Sequence, residues 1–467
     1  MLLERQIGRV GLISFLCETG FLLGAFWLAV LLAESFDGKP DAIADGHSAL
    51  NLWAGGAIFG TVIGLCLYFN GLYNFNRRLP VGELWLKLAR ALALSGFLLW
   101  AVYLVLPGLS SARGVLLPAM ALSTAFLLLW RHVIMARAWQ KILNENVLIV
   151  GSDPTALALA REIEQLGHLG YRVVGFLADP AERTLGLDRQ RVLGTPDKVL
   201  EVAQAEGVTR IVVAQRDNRG RLSLDSLLEC KTFGFPVSRA SEYYEKLTGK
   251  ILLDNVRIKS WLVFSEGFVI SKSILLCKRS LDLVAAAVGL VLAAPLMALI
   301  AIAVRLDSPG PVLYQQERMG RHGKPFTIWK FRSMKKDAER GLGASWAKRR
   351  DARVTRVGRL LRRTRMDELP QLWNILRGDM SMVGPRPERE DFAVQLAEFS
   401  PLYNYRLAVR PGLTGWAQIR NGYAGSVEES VEKLGYDLYY LRHMSLSFDL
   451  LILARTARVV LVGGGAV

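Results

Sequence analysis

The chain has 467 residues, 51% of them hydrophobic, and a formal net charge of +16. High apolarity with high positive charge excludes an ordinary soluble enzyme and fits a membrane protein with basic cytoplasmic parts, and the length allows two to four domains. The four cysteines (Cys17, Cys66, Cys230, Cys277) form no paired motif and the five histidines are scattered. A disulfide framework and a histidine metal site are therefore not expected. No helix-turn-helix, zinc-finger or RNA-binding signature accompanies the basic residues, so nucleic acid is not an expected partner.

Four apolar runs, near 8–33, 49–70, 88–108 and 114–136, each approach the ~20 residues that span a bilayer as a helix. The loop after the first run carries Glu34, Asp37, Asp41 and Asp45 against Lys39, whereas Arg5, Arg9, Arg77, Arg78, Arg131, Arg137 and Lys141 flank the other ends. The positive-inside rule puts the N-terminus and residue 140 in the cytoplasm. The run interiors hold almost no ionisable residues, so 1–140 reads as an anchoring and dimerising four-helix domain rather than a membrane-embedded active site.

At Asn146 the pattern changes. "NVLIVG" (146–151), "YRVVGFLAD" (171–179) and "VTRIVVAQ" (208–215) read as strands, and "TALALAREIEQLG" (155–167) as a helix. This alternation predicts a Rossmann-like α/β domain over 141–255 with a parallel sheet, followed by a linker at 256–277. The turn "GSDPTA" begins like a dinucleotide fingerprint, but Asp153 and Ala156 stand where its later glycines belong. A regulatory or packing domain is the favoured reading.

The next apolar run, 281–304, is long enough to span a membrane, with Pro295 in its middle. A full span would carry the following basic segment outside, against the positive-inside rule, and proline breaks a helical hydrogen bond. A re-entrant membrane helix over 278–306, turning at Pro295, meets both constraints; the rival is a plain fifth span. The stretch 445–463, with Asp449, Arg455 and Arg458, reads as an interfacial amphipathic helix of the last domain, 307–467.

From Arg321 to Arg365 there are 16 basic residues against three acids, a net +13. Such a segment suits phosphate or anionic lipid headgroups. Directly after it, "RRTRMDELPQLWNILRGDMSMVGPRPE" (362–388) sets Asp367 and Glu368 among arginines. Leu369, Leu372, Trp373 and Leu376 form a helical stripe, and Pro370 fits only a first turn, so a helix is expected from about Asp367 to Arg377. Two readings of the acidic pair remain open. Asp367 caps the helix while Glu368 complements its dipole, or the helix end holds an anion and a carboxylate there acts as a nucleophile. The strand-like "GPVLYQQERMG" and "FTIWKFRSM" deliver Lys330 and Arg332, and Pro385 and Pro387 fix Arg386 between them. A rigid Pro-Arg-Pro suits bidentate phosphate binding. A carboxylate among these cations should stay ionised and suits Mg²⁺.

The segments "RSLDLVAAAVGLVLAAPLMALIAIAVRLDSPGPVLYQQERMGRHGKPFTIWKFRSM", "RMDELPQLWNILRGDMSMVGPRP" and "RPGLTGWAQI" resemble the bacterial polyprenyl-phosphate sugar-1-phosphate transferases, the monotopic phosphoglycosyl transferases. Four N-terminal spans plus an α/β domain resemble the large members, and the tail resembles an exopolysaccharide-synthesis subgroup. The resemblance implies a membrane α-helical bundle, a Rossmann-like α/β domain and an α/β catalytic domain anchored by a re-entrant helix. It implies a multi-pass protein of the bacterial inner membrane with its catalytic domain in the cytoplasm, in contact with membrane lipids. The implied substrates are a UDP-sugar, glucose first, and undecaprenyl phosphate; a homodimer is compatible. Asp367 would be the nucleophile and Mg²⁺ ligand, Glu368 the supporting acid/base, and Lys330, Arg332, Arg362 and Arg386 the phosphate ligands. Pro295 would break the membrane helix, although Ala294 stands where minimal members have serine, and Ser333 where threonine is common. The competing class is a non-catalytic membrane scaffold or nucleotide-sugar sensor; the intact acidic pair and Pro-Arg-Pro argue against it.

Overall fold

The computed structural model describes residues 2–37, 46–70, 81–106, 115–131, 145–167, 170–178, 192–214, 224–253, 271–335, 353–400, 402–421 and 427–462, with residues 72 and 268. Most of the first two loops, most of the 256–277 linker and the 336–352 part of the basic segment lie outside these residues. The chain divides into two compact units, Met1–Thr248 and Gly249–Val467.

The first unit opens with helices α1 (Leu2–Asp37), α2 (Gly46–Phe69), α3 (Val81–Val105) and α4 (Leu116–Leu129). Leu22, Phe26, Phe59, Leu99 and Tyr103 form the centre of their shared core. The first three contain windows long and apolar enough to cross a membrane, and α4 is a shorter apolar helix. The bundle is not free of charge. Glu18 of α1 is fully buried and pairs at 2.8 Å with Arg131, which also donates to the Leu72 carbonyl. Apolar surroundings make an unpaired charge costly, so the two ions must lie together.

Beyond the bundle stand β1 (Glu145–Val150), α5 (Pro154–Gln165), β2 (Tyr171–Leu177), β3 (Val192–Gly194), α6 (Val199–Ala205), β4 (Arg210–Val213), α7 (Leu224–Thr232), β5 (Val237–Arg239) and α8 (Ala240–Thr248). The five strands are all parallel, in the order β3-β2-β1-β4-β5. That is the strand order of doubly wound sheets. Val147 to Val150 are fully buried, as a central parallel strand requires. At the turn after β1, Asp153 accepts a hydrogen bond from the Ala156 N–H at 2.8 Å. Its carboxylate thus occupies the helix N-terminus where a fingerprint loop would seat a pyrophosphate.

The second unit begins with α9 (Lys272–Asp307), a helix of 36 residues with Pro295 inside. It too is long and apolar enough to cross a membrane. Ala286 packs with Leu372 and Ile375, whereas Ile300 and Val304 pack with Phe331 and Leu361. Both halves of α9 therefore touch the same unit. Between them Val288, Val291, Leu292 and Leu299 stay largely exposed. An antiparallel hairpin follows, β6 (Leu313–Met319) with β7 (Pro325–Phe331). Then come α10 (Arg356–Thr364), α11 (Gln371–Arg377), β8 (Ser381–Val383), α12 (Glu390–Phe399), β9 (Gly412–Thr414), α13 (Trp416–Asn421), α14 (Val427–Arg442) and α15 (Leu446–Val462). Strands β8 and β9 pair in parallel.

Two local expectations are corrected. The helix after the acidic pair starts at Gln371, not Asp367. Arg365 turns left-handed at φ 57° and ends α10, residues Met366–Glu368 form a 3-10 turn, and Pro370 restarts the chain as α11. Asp367 makes no capping bond. The buried face of α11 is Gln371, Leu372, Asn374 and Ile375, while Trp373 points outward. In α15, Asp449 does not lie on a solvated face. It is 1% exposed, accepts from Lys278 at 2.7 Å and from the Tyr440 hydroxyl at 2.8 Å, and leaves Leu450 outside.

Candidate active site

Three segments meet at the acidic pair: the 3-10 turn that carries it, strand β7, and the Pro-Arg-Pro loop after β8. Asn374, fully buried, registers the first two. Its amide donates to the Thr327 carbonyl at 2.7 Å and accepts from the Trp329 N–H at 3.1 Å. This fixes α11 to β7 beside Lys330. Its signal in the sequence was an asparagine within an apolar helical stripe, which the stripe reading passed over.

Asp367 and Glu368 are each only 9% exposed, but they differ in company. Glu368 Oε1 accepts from Lys330 Nζ at 3.3 Å and from Arg386 Nη2 at 3.0 Å. Asp367 holds no hydrogen bond or ion pair with a described residue. Burial would raise Glu368, but Arg386 and Lys330 outweigh it and hold the carboxyl well below the usual range. For Asp367 the balance runs the other way. Burial and then the Glu368 charge push it up, against Lys330, Arg362 and Arg386. The cations around the pair thus dominate at Glu368, whereas at Asp367 burial and the Glu368 charge outweigh them. Burial likewise lowers Lys330, despite its carboxylate neighbours.

Arg362, in the last turn of α10, donates from Nε to Ser333 Oγ at 2.9 Å and adds its field to Asp367. Arg386 is partly open to solvent, its side chain 36% exposed. Arg332 is not part of this cluster. Its guanidinium turns to the end of α9 and donates to the carbonyls of Val304 at 3.2 Å and Ser308 at 2.5 Å and to Ser308 Oγ at 2.9 Å. A buried guanidinium must find acceptors, and the last carbonyls of a helix are unsatisfied ones. Pro295 lies within α9, where it has no part in the cluster.

The Pro-Arg-Pro loop is held through its carbonyls. Pro385 O accepts from the Gly412 N–H at 2.9 Å, Arg386 O from Arg406 Nη2 at 2.8 Å, and Pro387 O from Arg318 Nη1 at 3.2 Å. The backbone before it is crowded. A Cβ on Gly384 would meet the Arg410 carbonyl oxygen at 2.5 Å. The base of α9 grips the same region: Arg279 donates to the Ile375 and Leu376 carbonyls, and Asp282 accepts from Ser381 Oγ and the Met382 N–H. These supporting residues are charged positions far apart in sequence, and no local pattern marked them.

No group of three or more histidine, cysteine or acidic side chains converges on a metal position among the described residues. Among the described residues, Asp367 and Glu368 are the carboxylates at the centre of the cluster, and the Glu388 charge also acts on Arg386. Mg²⁺ needs no dedicated protein cage, since one or two carboxylates plus substrate phosphates suffice. The unpartnered Asp367 carboxylate fits such a ligand; Glu368, already claimed by two cations, fits it less well.

A helix long and apolar enough to cross a membrane is docked on an α/β unit that holds two buried carboxylates beside lysine and arginine, whose positive charge suits an anionic group. The sequence comparisons agree. The bacterial sugar transferase family model matches residues 273–463, and a CoA-binding domain model matches residues 68–216. The UDP-N-acetylgalactosamine-undecaprenyl-phosphate N-acetylgalactosaminephosphotransferase of Aeromonas hydrophila is 41% identical over 240 residues, 51% of this chain and 56% of that protein. UDP-glucose:undecaprenyl-phosphate glucose-1-phosphate transferases from Xanthomonas campestris pv. campestris and Klebsiella pneumoniae are 31% and 33% identical, over 68% and 67% of this chain and 66% and 67% of their own length. The chain therefore spans between just over half and about two thirds of these relatives. It belongs to the bacterial sugar transferase family.

Proposed function

We propose that the chain transfers a hexose-1-phosphate from a UDP-sugar to undecaprenyl phosphate, giving undecaprenyl-diphosphate-sugar and UMP. The observation that carries this is the buried Asp367 carboxylate, which holds no hydrogen bond or ion pair with a described residue, beside a Glu368 that Lys330 and Arg386 keep ionised. The names of the two glucose-transferring relatives favour glucose-1-phosphate. N-acetylgalactosamine phosphate is the second donor reading, favoured by the relative at 41% identity.

In this reading an Asp367 oxygen attacks the phosphorus bonded to the sugar. The bond from that phosphorus to the bridging oxygen breaks, and UMP leaves with the electron pair. An oxygen of undecaprenyl phosphate then attacks the same phosphorus and releases the Asp367 carboxylate. Two displacements replace one difficult transfer between two anions. A nucleophile needs a lone pair unclaimed by hydrogen bonds, and no described residue bonds to the Asp367 carboxylate. Arg386, partly open to solvent, is suited to meet substrate phosphate oxygens, and Lys330 and Arg362 supply the surrounding positive field. Mg²⁺, held by Asp367 and the substrate phosphates, would neutralise charge on the diphosphate.

The membrane geometry belongs to the same proposal. A helix that crossed fully would put its ends on opposite faces, yet both halves of α9 pack on one unit. Packing on one unit supports re-entry over a full crossing, although α9 itself continues as helix through Pro295; in this reading the catalytic unit lies on the cytoplasmic face of the inner membrane. The parallel sheet order supports a Rossmann-like second domain, and the Asp153 cap weighs against a pyrophosphate at its first turn.

The test is UMP release by purified full-length protein with Mg²⁺, undecaprenyl phosphate and a panel of UDP-sugars. Release with one donor, abolished by EDTA and by Asp367→Asn, is the expected result. Well-folded protein silent with every donor would return the chain to the scaffold or sensor class.

A further inference from the structure

The Pro-Arg-Pro loop has a peculiarity of composition. Its three residues carry a single backbone N–H, since proline has none. Backbone pairing can therefore fix it only weakly, and its carbonyls must take over. Two of the three carbonyls accept from arginine side chains, Arg406 and Arg318. The central one belongs to Arg386, whose guanidinium lies on Glu368. One residue is thus held at both ends: by Glu368 through its side chain and by Arg406 through its backbone.

Arg406 comes from a 3-10 turn, Tyr403–Ala408, and is 7% exposed. Its Nη1 donates to the Tyr403 hydroxyl at 2.7 Å, and its Nη2 lies 2.9 Å from an Asp437 oxygen on α14. Asp437 is also buried, at 3% exposure. Taking two ions out of water is expensive, and an apolar pair of similar volume often serves stability as well or better. Stability alone does not call for this pair. What the guanidinium supplies, and an apolar residue does not, is a directed N–H donor for a buried carbonyl, with its plane fixed by a carboxylate.

We infer that Arg406, oriented by Asp437, is a positioning residue that aims Arg386 at the acidic pair. Neither residue belongs to the cluster of Asp367, Glu368, Lys330 and Arg386, and Arg406 acts only through the Arg386 backbone. The inference rests on the transfer reading and concerns how its arginine is held.

The experiment is a double-mutant cycle on full-length protein, with UMP release and thermal melting read side by side. The variants are Arg406→Met/Asp437→Leu, Arg406→Lys, Asp437→Asn and Arg386→Gln, with each Arg406 or Asp437 change repeated in the Arg386→Gln background. We expect Arg406→Met/Asp437→Leu to melt close to the wild type yet lose about 10- to 100-fold in kcat/KM, the range of one to two directed interactions. Arg406→Lys, which keeps a donor, should recover part of that loss. In the Arg386→Gln background the same changes should cost less than about threefold, because the side chain they aim is gone. Asp437→Asn preserves shape and gives a second reading if the apolar pair folds poorly; its smaller loss should vanish in the same background. Wild-type turnover in the paired variant, or losses that multiply undiminished in the Arg386→Gln background, would overturn the inference. An inactive wild type is a different result and tells against the transfer reading itself.

Discussion

Asp367 and Glu368 are neighbours of nearly equal intrinsic acidity, and their surroundings separate them. Glu368 is spoken for by two cations, while Asp367 keeps its lone pairs and is pushed toward protonation. Asp367→Asn should lower UMP release by about 10³-fold or more, as loss of a nucleophile does, with little change in melting temperature. A comparable rate in that variant would return Asp367 to a structural role. The acid limb of kcat/KM should lie above the usual aspartate range, because Asp367 must lose a proton that its folded environment favours keeping. Lys330 lowers Asp367, so Lys330→Met should move the limb to higher pH. Glu368 raises it, so Glu368→Gln should move the limb to lower pH. Shifts of the same sign in both variants would show that the limb reports another group. At this scale the residue types and their clustering were readable in the sequence, while the division of labour within the pair was not. It depends on which oxygen meets Arg386, 18 residues further along the chain, and on burial.

Elements hold these side chains through backbone contacts that leave no room for alternatives. Asn374 bridges α11 to β7 with both faces of its amide. Asn374→Ala takes the partner from the part-buried Trp329 N–H and Thr327 carbonyl and should destabilise the protein by about 1 kcal/mol, read by denaturant or thermal unfolding. Gly384→Ala presses a Cβ against the Arg410 carbonyl. We expect about 1–3 kcal/mol of destabilisation from the overpacking and a loss of turnover larger than the unfolded fraction explains, since the Arg386 loop follows directly. Turnover that merely tracks the folded fraction would argue that the loop position is tolerant. The hydrophobic patterns located β1, β2, β4, β6 and β7 and the helices α1–α5, α9, α11 and α15, and passed over the short strands β3, β5, β8 and β9. They misplaced the start of α11 because the stripe begins at Leu369, whereas the left-handed Arg365 ends α10 and the regular helix restarts only at Pro370, whose missing N–H and fixed φ suit a first turn. They also set Asp449 outside, because a lone acid in an apolar helix normally faces water; here Lys278 waits for it inside.

In the proposed membrane geometry both ends of α9 lie on one side of the bilayer. Cys277 and Leu306 lie near its two ends and are both exposed. In a background lacking the other three cysteines, a membrane-impermeant thiol reagent should reach Cys277 and an introduced Leu306→Cys only from the cytoplasmic side. Labelling from opposite sides would establish a fifth span. Pro295→Leu should bring about such a change in part of the population, since it restores the hydrogen bond that proline removes.

By itself the sequence determined the apolar runs, the α/β alternation, the basic segment and the setting of the acidic pair among cations. All of these are written in spacings of a few residues. Only the tertiary structure decided which cations serve Glu368, that Arg332 serves the end of α9 instead, and that Arg406 holds the Arg386 loop. Each of those choices is an ion pair or hydrogen bond between residues far apart in the chain, as in Lys278 and Asp449 at a separation of 171. A buried charge must find its partner in space, and a local pattern carries no record of who that partner is.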